Sequence, residues 1–323
     1  MLVGHEAFCD YRTIQEAVDA LERRPQKQMD TLYILSGLYE ENVRIYRSDL
    51  TVIGLGQVEI RGSLYARQLG QNGREIGTFG TPTLFLGGSR LTVENITVSN
   101  RAGQGEGIGQ AVAVYAHCDE AVFRNCAFKG YQDTLFTGPF PPATKEGRAF
   151  EGVPLKEEHD RCRQLYLHCY IEGTVDFIFG GAAAWFEECE IRSLKHWGGG
   201  PGYITAASTP REQRDGYVFS HCYLTAEEGV NEVYLGRPWR EYAKTDFVNC
   251  IMGSHIHPLG WDNWGNPANE STVRYREYSS RPESGHAGVR RADWTESYES
   301  DQGGPHMEEF FSGSNFYHGG GSR

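Results

Sequence analysis

Two aspartates lie at matching positions of a repeated sequence pattern. Asp133 follows Cys126 by seven residues, and Asp176 follows Cys169 by the same seven. If the repeat units are successive coils and 138–162 is looped out between them, the two carboxylates lie about one strand separation apart, about 5 Å. Carboxylates this close cannot both ionise readily, so one should keep a proton near neutral pH. Such a pair predicts a nucleophile and a general acid in one site.

A single aspartate in a loop is more often a turn or cap residue than a catalytic one. The surroundings of Asp176 argue against that interpretation. It stands inside the apolar run Val175–Phe179, where a carboxylate is costly without a cationic partner. An arginine would supply that cation.

The pattern that aligns the aspartates is a short unit with a small residue between apolar ones. The six copies are Val93–Ile96, Phe123–Phe128, Tyr166–Ile171, Phe186–Ile191, Phe219–Leu224 and Phe247–Met252. Each copy alternates as a half-buried strand does, with Asn95 or a cysteine sharing the inward face with apolar neighbours two positions away. The intervals between these inward positions are 31, 43, 20, 33 and 28 residues, as expected for a solenoid whose coils carry loops of different length. We therefore predict an all-β fold, a right-handed parallel β-helix.

Five cysteines occupy the inward position of this pattern. We expect them to stack inside the β-helix as small apolar residues, and we favour this role over a catalytic or metal-binding one because the chain has no C-x-x-C pair. They are Cys126, Cys169, Cys189, Cys222 and Cys250. Strands about 4.8 Å apart would allow a disulfide, so the sequence leaves their redox state open.

Composition and charge narrow the class of protein. Forty glycines, thirteen prolines and 12% aromatic residues favour an all-β chain with many turns. A net charge of −12 argues against nucleic acid or anionic lipid as partners, because both are bound through excess Lys and Arg. An anionic polymer would need a local basic or aromatic strip. No apolar stretch approaches the roughly 20 residues of a membrane span, so no membrane partner is expected.

The N-terminal segment predicts a cap for the open end of the solenoid. Four apolar residues there have helical spacing, with Asp10 or Thr13 as the possible N-cap. They are Ile14, Ala17, Val18 and Leu21. We expect this helix to lie in a cap region over about 1–30.

Two further segments interrupt or follow the coils of what we take to be one domain over 1–323. The stretch 138–162 is rich in proline and charge and predicts one long loop beside Asp133. Beyond about residue 265 the chain is polar and rich in Gly and Ser, which predicts an irregular tail over about 265–323, laid along the β-helix. We expect 319–323 to be disordered.

Four motifs follow one another through the middle of the chain: Gln110–Val114, Gly130–Leu135, Gly173–Gly180 and Tyr234–Trp239. In this order they resemble the pectin methylesterase family, carbohydrate esterases built on a right-handed parallel β-helix. The similarity runs from Tyr11–Ala17 through Gly37–Val43 to about Tyr278. One motif alone would be suggestive, whereas four in family order are specific.

The resemblance implies catalytic roles for the matching residues. The residue matching Asp176 attacks the ester carbonyl and forms an acyl-enzyme. The residue matching Asp133 protonates the departing methanol and then activates the hydrolytic water. Gln110 and Gln132 match glutamines that hydrogen-bond the oxyanion, and Arg237 matches the arginine that bonds the nucleophile and keeps its pKa low.

The resemblance also implies how the sugar is held. Trp239 would stack on a sugar ring, and three further aromatic residues, Tyr131, Phe136 and Phe177, are candidates for the groove, although such residues are as often core. Trp261 and Trp264 are similar to a family stretch near the cleft. The implied substrate is pectin or a methylated oligogalacturonate, with no metal or cofactor.

Two departures from the family pattern bear on substrate and compartment. The 138–162 loop is longer than the usual connection, so we expect it to cover the groove or to restrict the polymer length. The chain starts almost directly on the cap helix, without a lead strand or an export signal. We therefore expect a cytoplasmic, monomeric enzyme that acts on short oligogalacturonates, with a secreted enzyme that has lost its signal as the alternative.

The sequence argues against two other enzymes that share the fold and leaves two alternative functions open. A pectate lyase would need clustered acidic residues to bind Ca²⁺, and a polygalacturonase would need Asp-Asp and Gly-His-Gly segments that this sequence lacks. A relative that has turned to acyl thioesters and a non-catalytic glycan-binding β-helix stay as alternatives.

Overall fold

The structure is a computed structural model that describes residues 1–25, 29–283 and 290–318. Its strands pair in parallel throughout, in a sheet of seventeen strands and a sheet of seven, and wind into the predicted right-handed parallel β-helix. The described strands are β1 (Leu2–Val3), β2 (Asp30–Tyr39), β3 (Val43–Ile45), β4 (Leu50–Gly62), β5 (Leu84–Leu86), β6 (Ser89–Asn100), β7 (Val114–Ala116), β8 (Asp119–Arg124), β9 (Ala127–Lys129), β10 (Leu135–Thr137), β11 (Arg163–Leu167), β12 (Tyr170–Gly173), β13 (Ile178–Gly180), β14 (Ala183–Glu187), β15 (Glu190–Ser193), β16 (Gly202–Ala207), β17 (Tyr217–Ser220), β18 (Tyr223–Ala226), β19 (Val233–Gly236), β20 (Lys244–Val248), β21 (Ile251–Met252), β22 (Arg274–Tyr278), β23 (Arg281–Pro282) and β24 (Glu296–Tyr298).

Helices are few and short. The described helices are α1 (Ile14–Glu22), α2 (Met307–Phe310) and two 3₁₀ turns, Pro267–Ser271 and Phe316–His318. None of them, within the described ranges, has the length and apolar character that crossing a bilayer requires.

The smaller sheet carries the strands next to the predicted site. It runs in the order β19, β16, β13, β10, β7, β5 and β3. Side chains alternate across it, as in any strand: Leu135 and Ile178 point into the solenoid, while their neighbours Phe136 and Phe179 point to the outer face.

Five of the six repeat units are corners between two strands and not the single strands that we expected, while the first, Val93–Ile96, lies within the continuous strand β6. In the first complete unit β8 ends at Arg124, β9 begins at Ala127, and Asn125 between them is left-handed with φ 49°. The corner residues Asn125, His168, Glu188, His221 and Asn249 share this conformation, with φ between 49° and 53°. The corner shifts the phase of the pattern, so the inward aromatic residue lies three positions before the cysteine.

Asn95 is placed differently from our prediction. The register of β6 with β9 pairs Thr97 with Ala127, so Ile96, and not Asn95, shares the inward position with Cys126. Asn95 has φ 58° and belongs to the corner column. Asparagine tolerates the left-handed region better than most residues, which explains why it stands at the corner.

The interior of the solenoid confirms the cysteine ladder. All five ladder cysteines are buried and free. Beside them an aromatic ladder of one ring per coil stacks nearly parallel, with successive ring centroids 4.5–4.7 Å apart. It consists of Phe123, Tyr166, Phe186, Phe219 and Phe247. The small sulfur column and the large ring column together fill the cross-section of each coil.

Helix α1 covers the N-terminal end as predicted. The Thr13 hydroxyl accepts a hydrogen bond from the Glu16 N–H, so Thr13, and not Asp10, is the N-cap. The four predicted apolar residues of α1 are buried in the main core. The expected absence of a lead strand is wrong, because Leu2 and Val3 form β1 and pair with Tyr33 and Ile34.

The predicted irregular tail begins later than residue 265. Strands β22, β23 and β24 continue the larger sheet, and the polar composition of this stretch reflects the exposed side of its strands. After Tyr298 the chain does lie along the β-helix, where Phe310 and Phe311 pack with Trp185 and other residues of that sheet's outer face. The expectation for 319–323 falls outside the described residues.

The 138–162 segment is one long connection from β10 to β11, as predicted. It is tied to the outer face of the smaller sheet at several points. Its Val153 N–H donates to the Phe79 carbonyl at 2.9 Å, and its Pro154 carbonyl accepts from the Tyr46 hydroxyl at 2.9 Å. Phe140 and Phe150 of the loop stack on each other with centroids 4.6 Å apart.

Candidate active site

Asp133 and Asp176 lie at the same corner of adjacent coils. Strand β10 pairs with β13 with Leu135 opposite Ile178, which places each aspartate two residues before the paired position. The Asp133 N–H donates to the Val175 carbonyl at 3.1 Å. Both aspartates are left-handed, with φ 64° and 50°. Their predicted adjacency is therefore confirmed, with 138–162 outside the coil.

Arg237 supplies the cation that the apolar setting of Asp176 requires. It follows the end of β19, and its guanidinium donates from Nε and Nη2 to the two carboxylate oxygens of Asp176, at 2.8 Å each. The guanidinium lies between two aromatic rings, 3.8 Å from the centroid of Tyr203 and 3.9 Å from that of Trp264. Because the two rings hold the guanidinium in place, its two hydrogen bonds fix the orientation of the Asp176 carboxylate.

The two carboxyls differ in their electrostatic surroundings. Burial, and next the charge of Asp176, raise the pKa of Asp133 well above its usual range, with Arg237 opposing. Burial also raises the pKa of Asp176, but hydrogen bonds and charge from Arg237 counteract it. A single proton shared by the pair therefore resides on Asp133, while Asp176 stays ionised.

Gln110 and Gln132 both line the space in front of the carboxyls. Their backbones are fixed, because the Gln110 carbonyl accepts from the Ala66 N–H at 2.8 Å and the Gln132 carbonyl from the Ala111 N–H at 3.1 Å. Their side-chain amides have no hydrogen-bond partner among the described residues. Two neutral amide donors are thus available to a ligand oxygen.

These groups open into a cleft of about 400 Å³, called the catalytic cleft below. Trp239 lines it as expected. Several lining residues were not predicted as site residues: Thr78, Phe79, Phe150, Phe179 and Ala206. Trp264, noted only as belonging to a similar stretch, also lines the cleft. Phe150 comes from the 138–162 loop, so that loop forms part of the wall.

Three predicted groove residues do not line the cleft. Phe136 is fully buried under it, between Phe79, Phe179 and Trp239. Phe177 is fully buried in the solenoid core, because the turn after Asp176 breaks the alternation and directs it inward. Tyr131 is half-buried and lies outside the lining set.

Trp261 also departs from the family-based expectation. It is buried in the core and stacks on Tyr275 with ring centroids 4.1 Å apart. Local alternation could not assign Phe177, since it lies beside the corner at Asp176, whereas the alternation of β10 does direct Phe136 to the outer face.

An ionised carboxylate, a protonated carboxyl and two amide donors around one cleft suit hydrolysis of an ester by covalent catalysis. The pectinesterase family model matches residues 1–139 and 158–319, which leaves 140–157 unmatched. The chain belongs to the pectinesterase family.

Individual relatives agree with this assignment. "Probable pectinesterase A" of Neosartorya fischeri is 35% identical over 285 residues, covering 84% of this chain and 75% of that protein. "Probable pectinesterase/pectinesterase inhibitor 64" of Arabidopsis thaliana is 34% identical over 292 residues, covering 84% of this chain. The chain covers only 44% of that longer protein. The solved pectin methylesterase from carrot is 27% identical, with a TM-score of 0.76 over 94% of this chain and 89% of the carrot chain.

Proposed function

We propose that this protein hydrolyses the methyl esters of methylated polygalacturonate to free carboxylates and methanol. The observation that carries the proposal is the Asp176–Arg237 pair beside Asp133, whose pKa burial raises well above its usual range, in the lining of one open cleft. Membership of the pectinesterase family supports the choice of substrate.

In the proposed first step, a carboxylate oxygen of Asp176 attacks the ester carbonyl carbon. The tetrahedral oxyanion accepts hydrogen bonds from the amides of Gln110 and Gln132. As the intermediate collapses, the bond to the methoxy oxygen breaks and Asp133 gives that oxygen its proton. Methanol leaves, and an anhydride joins Asp176 to the galacturonate.

In the second step the ionised Asp133 takes a proton from water, whose oxygen attacks the galacturonyl carbon of the anhydride. The bond to Asp176 breaks, which releases the acid and restores the starting protonation of the pair. Arg237 keeps its two hydrogen bonds to Asp176 when the carboxylate is regenerated. Trp239, on the cleft wall, offers a flat apolar face to a sugar ring.

The decisive experiment is methanol release from highly methylated pectin by the wild type and by Asp176→Asn. Asparagine is the suitable replacement because it tolerates the left-handed backbone at this position, where alanine would add strain. A matched control is Asp49→Asn, since Asp49 is also left-handed and also pairs with an arginine, Arg90, away from the cleft. A wild type that releases no methanol, or an Asp176→Asn variant that keeps the full rate, would refute the proposal.

We also propose a monomer as the active form, and size-exclusion chromatography with light scattering tests it. Hydrolysis of an acyl thioester in parallel assays would show whether the cleft serves the alternative substrate class.

A further inference from the structure

The segment left out of the family match, 140–157, brings a cation to the edge of the catalytic cleft. We call this segment the insertion. Its Lys145 lines a second depression of about 370 Å³, together with Trp239, Arg240, Trp264, Asn266 and Asn269. Trp239 and Trp264 line the catalytic cleft as well, so the two depressions share an aromatic wall and form one continuous surface.

Among the described residues that line this depression, Lys145 is the cation that is still available to a ligand. Arg237 is engaged by Asp176, and Arg240 donates to the carbonyls of Trp239 and Ala143, at 2.9 and 2.8 Å. The Lys145 ammonium lies 4.4 Å from the ring centroid of Trp264. No carboxylate of the described residues lies within ion-pair distance of it, and its side chain is exposed to solvent.

The charges around Lys145 are of both signs, and the Lys145 ammonium is the cation among them without a carboxylate partner at ion-pair distance among the described residues. Arg237 and Arg240 lie close enough to add to its positive potential, while Glu146 and Asp176 oppose it. Glu241 also lines the depression. In a chain of net charge −12, an ammonium without a carboxylate partner offers a local contact to a polyanion that the rest of the molecule repels.

We propose that Lys145 binds the free carboxylate of a galacturonate unit next to the unit whose methyl ester occupies the catalytic cleft. This inference rests on the proposed function. A methyl ester carries no charge for the ammonium to pair with, whereas a carboxylate does, so Lys145 favours substrates that are already partly de-esterified. The shared Trp239–Trp264 wall provides the apolar face on which neighbouring sugar rings lie.

The test compares Lys145→Gln with the wild type on highly methylated pectin and on the same pectin after partial de-esterification. An exposed ion pair is worth up to about fivefold in binding, so KM should rise by up to about fivefold on the partly de-esterified substrate, with kcat unchanged. KM on the highly methylated substrate should stay the same. Lys145→Arg should restore the preference, because it restores the charge.

A matched control lies within the same insertion. Lys156 also pairs its ammonium with an aromatic ring, 3.8 Å from the Tyr46 centroid, but it bonds Glu22 at 3.4 Å and lies outside both depressions. Lys156→Gln should leave both KM values unchanged.

Two outcomes would overturn the inference. One is an equal change, or no change, on both substrates. The other is a shift of the acid limb of the pH profile on both substrates while the ratio of the two KM values stays constant. Lys145 would then act by lowering the pKa of Asp176 and not by binding a carboxylate. If the wild type releases no methanol from either pectin, the proposed function fails. In that case the binding of trigalacturonate, measured by calorimetry, still tests the inference. The inference requires Lys145→Gln to bind trigalacturonate more weakly than the wild type does.

Discussion

The corner that holds Asp133 and Asp176 differs in origin from the insertion that walls the same cleft. The corner is part of the coil: its aspartates share a phase, and the pairing of β10 with β13 fixes their separation. The insertion leaves the coil just after β10, lines the cleft through Phe150 and lines the adjoining depression through Lys145. The family match includes the corner and omits residues 140–157.

The difference separates chemistry from substrate selection. Groups that must meet within bonding distance of one carbonyl lie on the regular part of the fold, where strand pairing determines their position. Groups that extend the contact with a polymer lie on an irregular segment, whose sequence can change without disturbing the coils. We therefore expect changes at the corner to alter kcat, changes in the interior to alter stability, and changes in the insertion to alter KM.

The largest effect is expected from Asp133→Asn. The amide keeps the size and the left-handed conformation of the residue but cannot protonate methanol, so kcat should fall by about 10²–10⁴. Initial rates of methanol release over a range of pH check this, with the melting temperature as the control for folding. A variant that retains kcat would show that the acid is another group.

The interior should respond in stability and not in catalysis. Phe186 stacks in the aromatic ladder between Tyr166 and Phe219, so Phe186→Ala should lower the free energy of unfolding by about 3–5 kcal/mol. Urea denaturation at 25 °C measures it. Phe150→Ala removes the same phenyl ring from the insertion, so it is the matched control. An equal loss of unfolding free energy in the two variants would contradict the expected difference between the interior and the insertion.

Arg237→Gln tests how the corner controls its protonation. Arg237 lowers the pKa of both carboxyls against the effect of burial, so its removal raises both pKa values. The reaction requires an ionised Asp176 and a protonated Asp133. Activity is therefore lost below the pKa of Asp176 and above the pKa of Asp133. The whole profile of kcat/KM against pH should move to higher pH.

Arg90→Gln, at the exposed pair with Asp49, is the control and should leave the profile unmoved. An acid limb that stays fixed in Arg237→Gln would show that Arg237 does not control the pKa of Asp176.

Among these four substitutions, the smallest effect is expected from Phe150→Ala in the insertion. Its ring contacts Trp239 at a centroid distance of 5.8 Å and Phe79 at 5.5 Å, so its loss opens one wall of the cleft. KM for methylated pectin should rise by about threefold to tenfold, with kcat nearly constant. Steady-state kinetics measure it, and a large loss of kcat with constant KM would place Phe150 in the chemistry instead.

Much of the fold could be predicted from the sequence because the repeat is local. The recurrent small residue between apolar ones indicated the coils, and helical spacing indicated α1. The corners could not be seen, since a single left-handed residue such as Asn125 or His168 changes the phase without changing composition. For the same reason the pattern predicts an inward Asn95, whereas the polar composition of β22 to β24 predicts an irregular tail.

For the site, the spacing and types of the residues predict the equal phase of Asp133 and Asp176 and the need of Asp176 for a cation. These follow from spacing along the chain and from the cost of burying a charge. Which aromatic residues reach the cleft depends on how distant segments pack: Phe150 and Trp264 reach it, while Phe136 and Phe177 do not. The two carboxylates that lie side by side are fixed by strand pairing, whereas the walls come from distant segments whose approach depends on packing and leaves no period in the sequence.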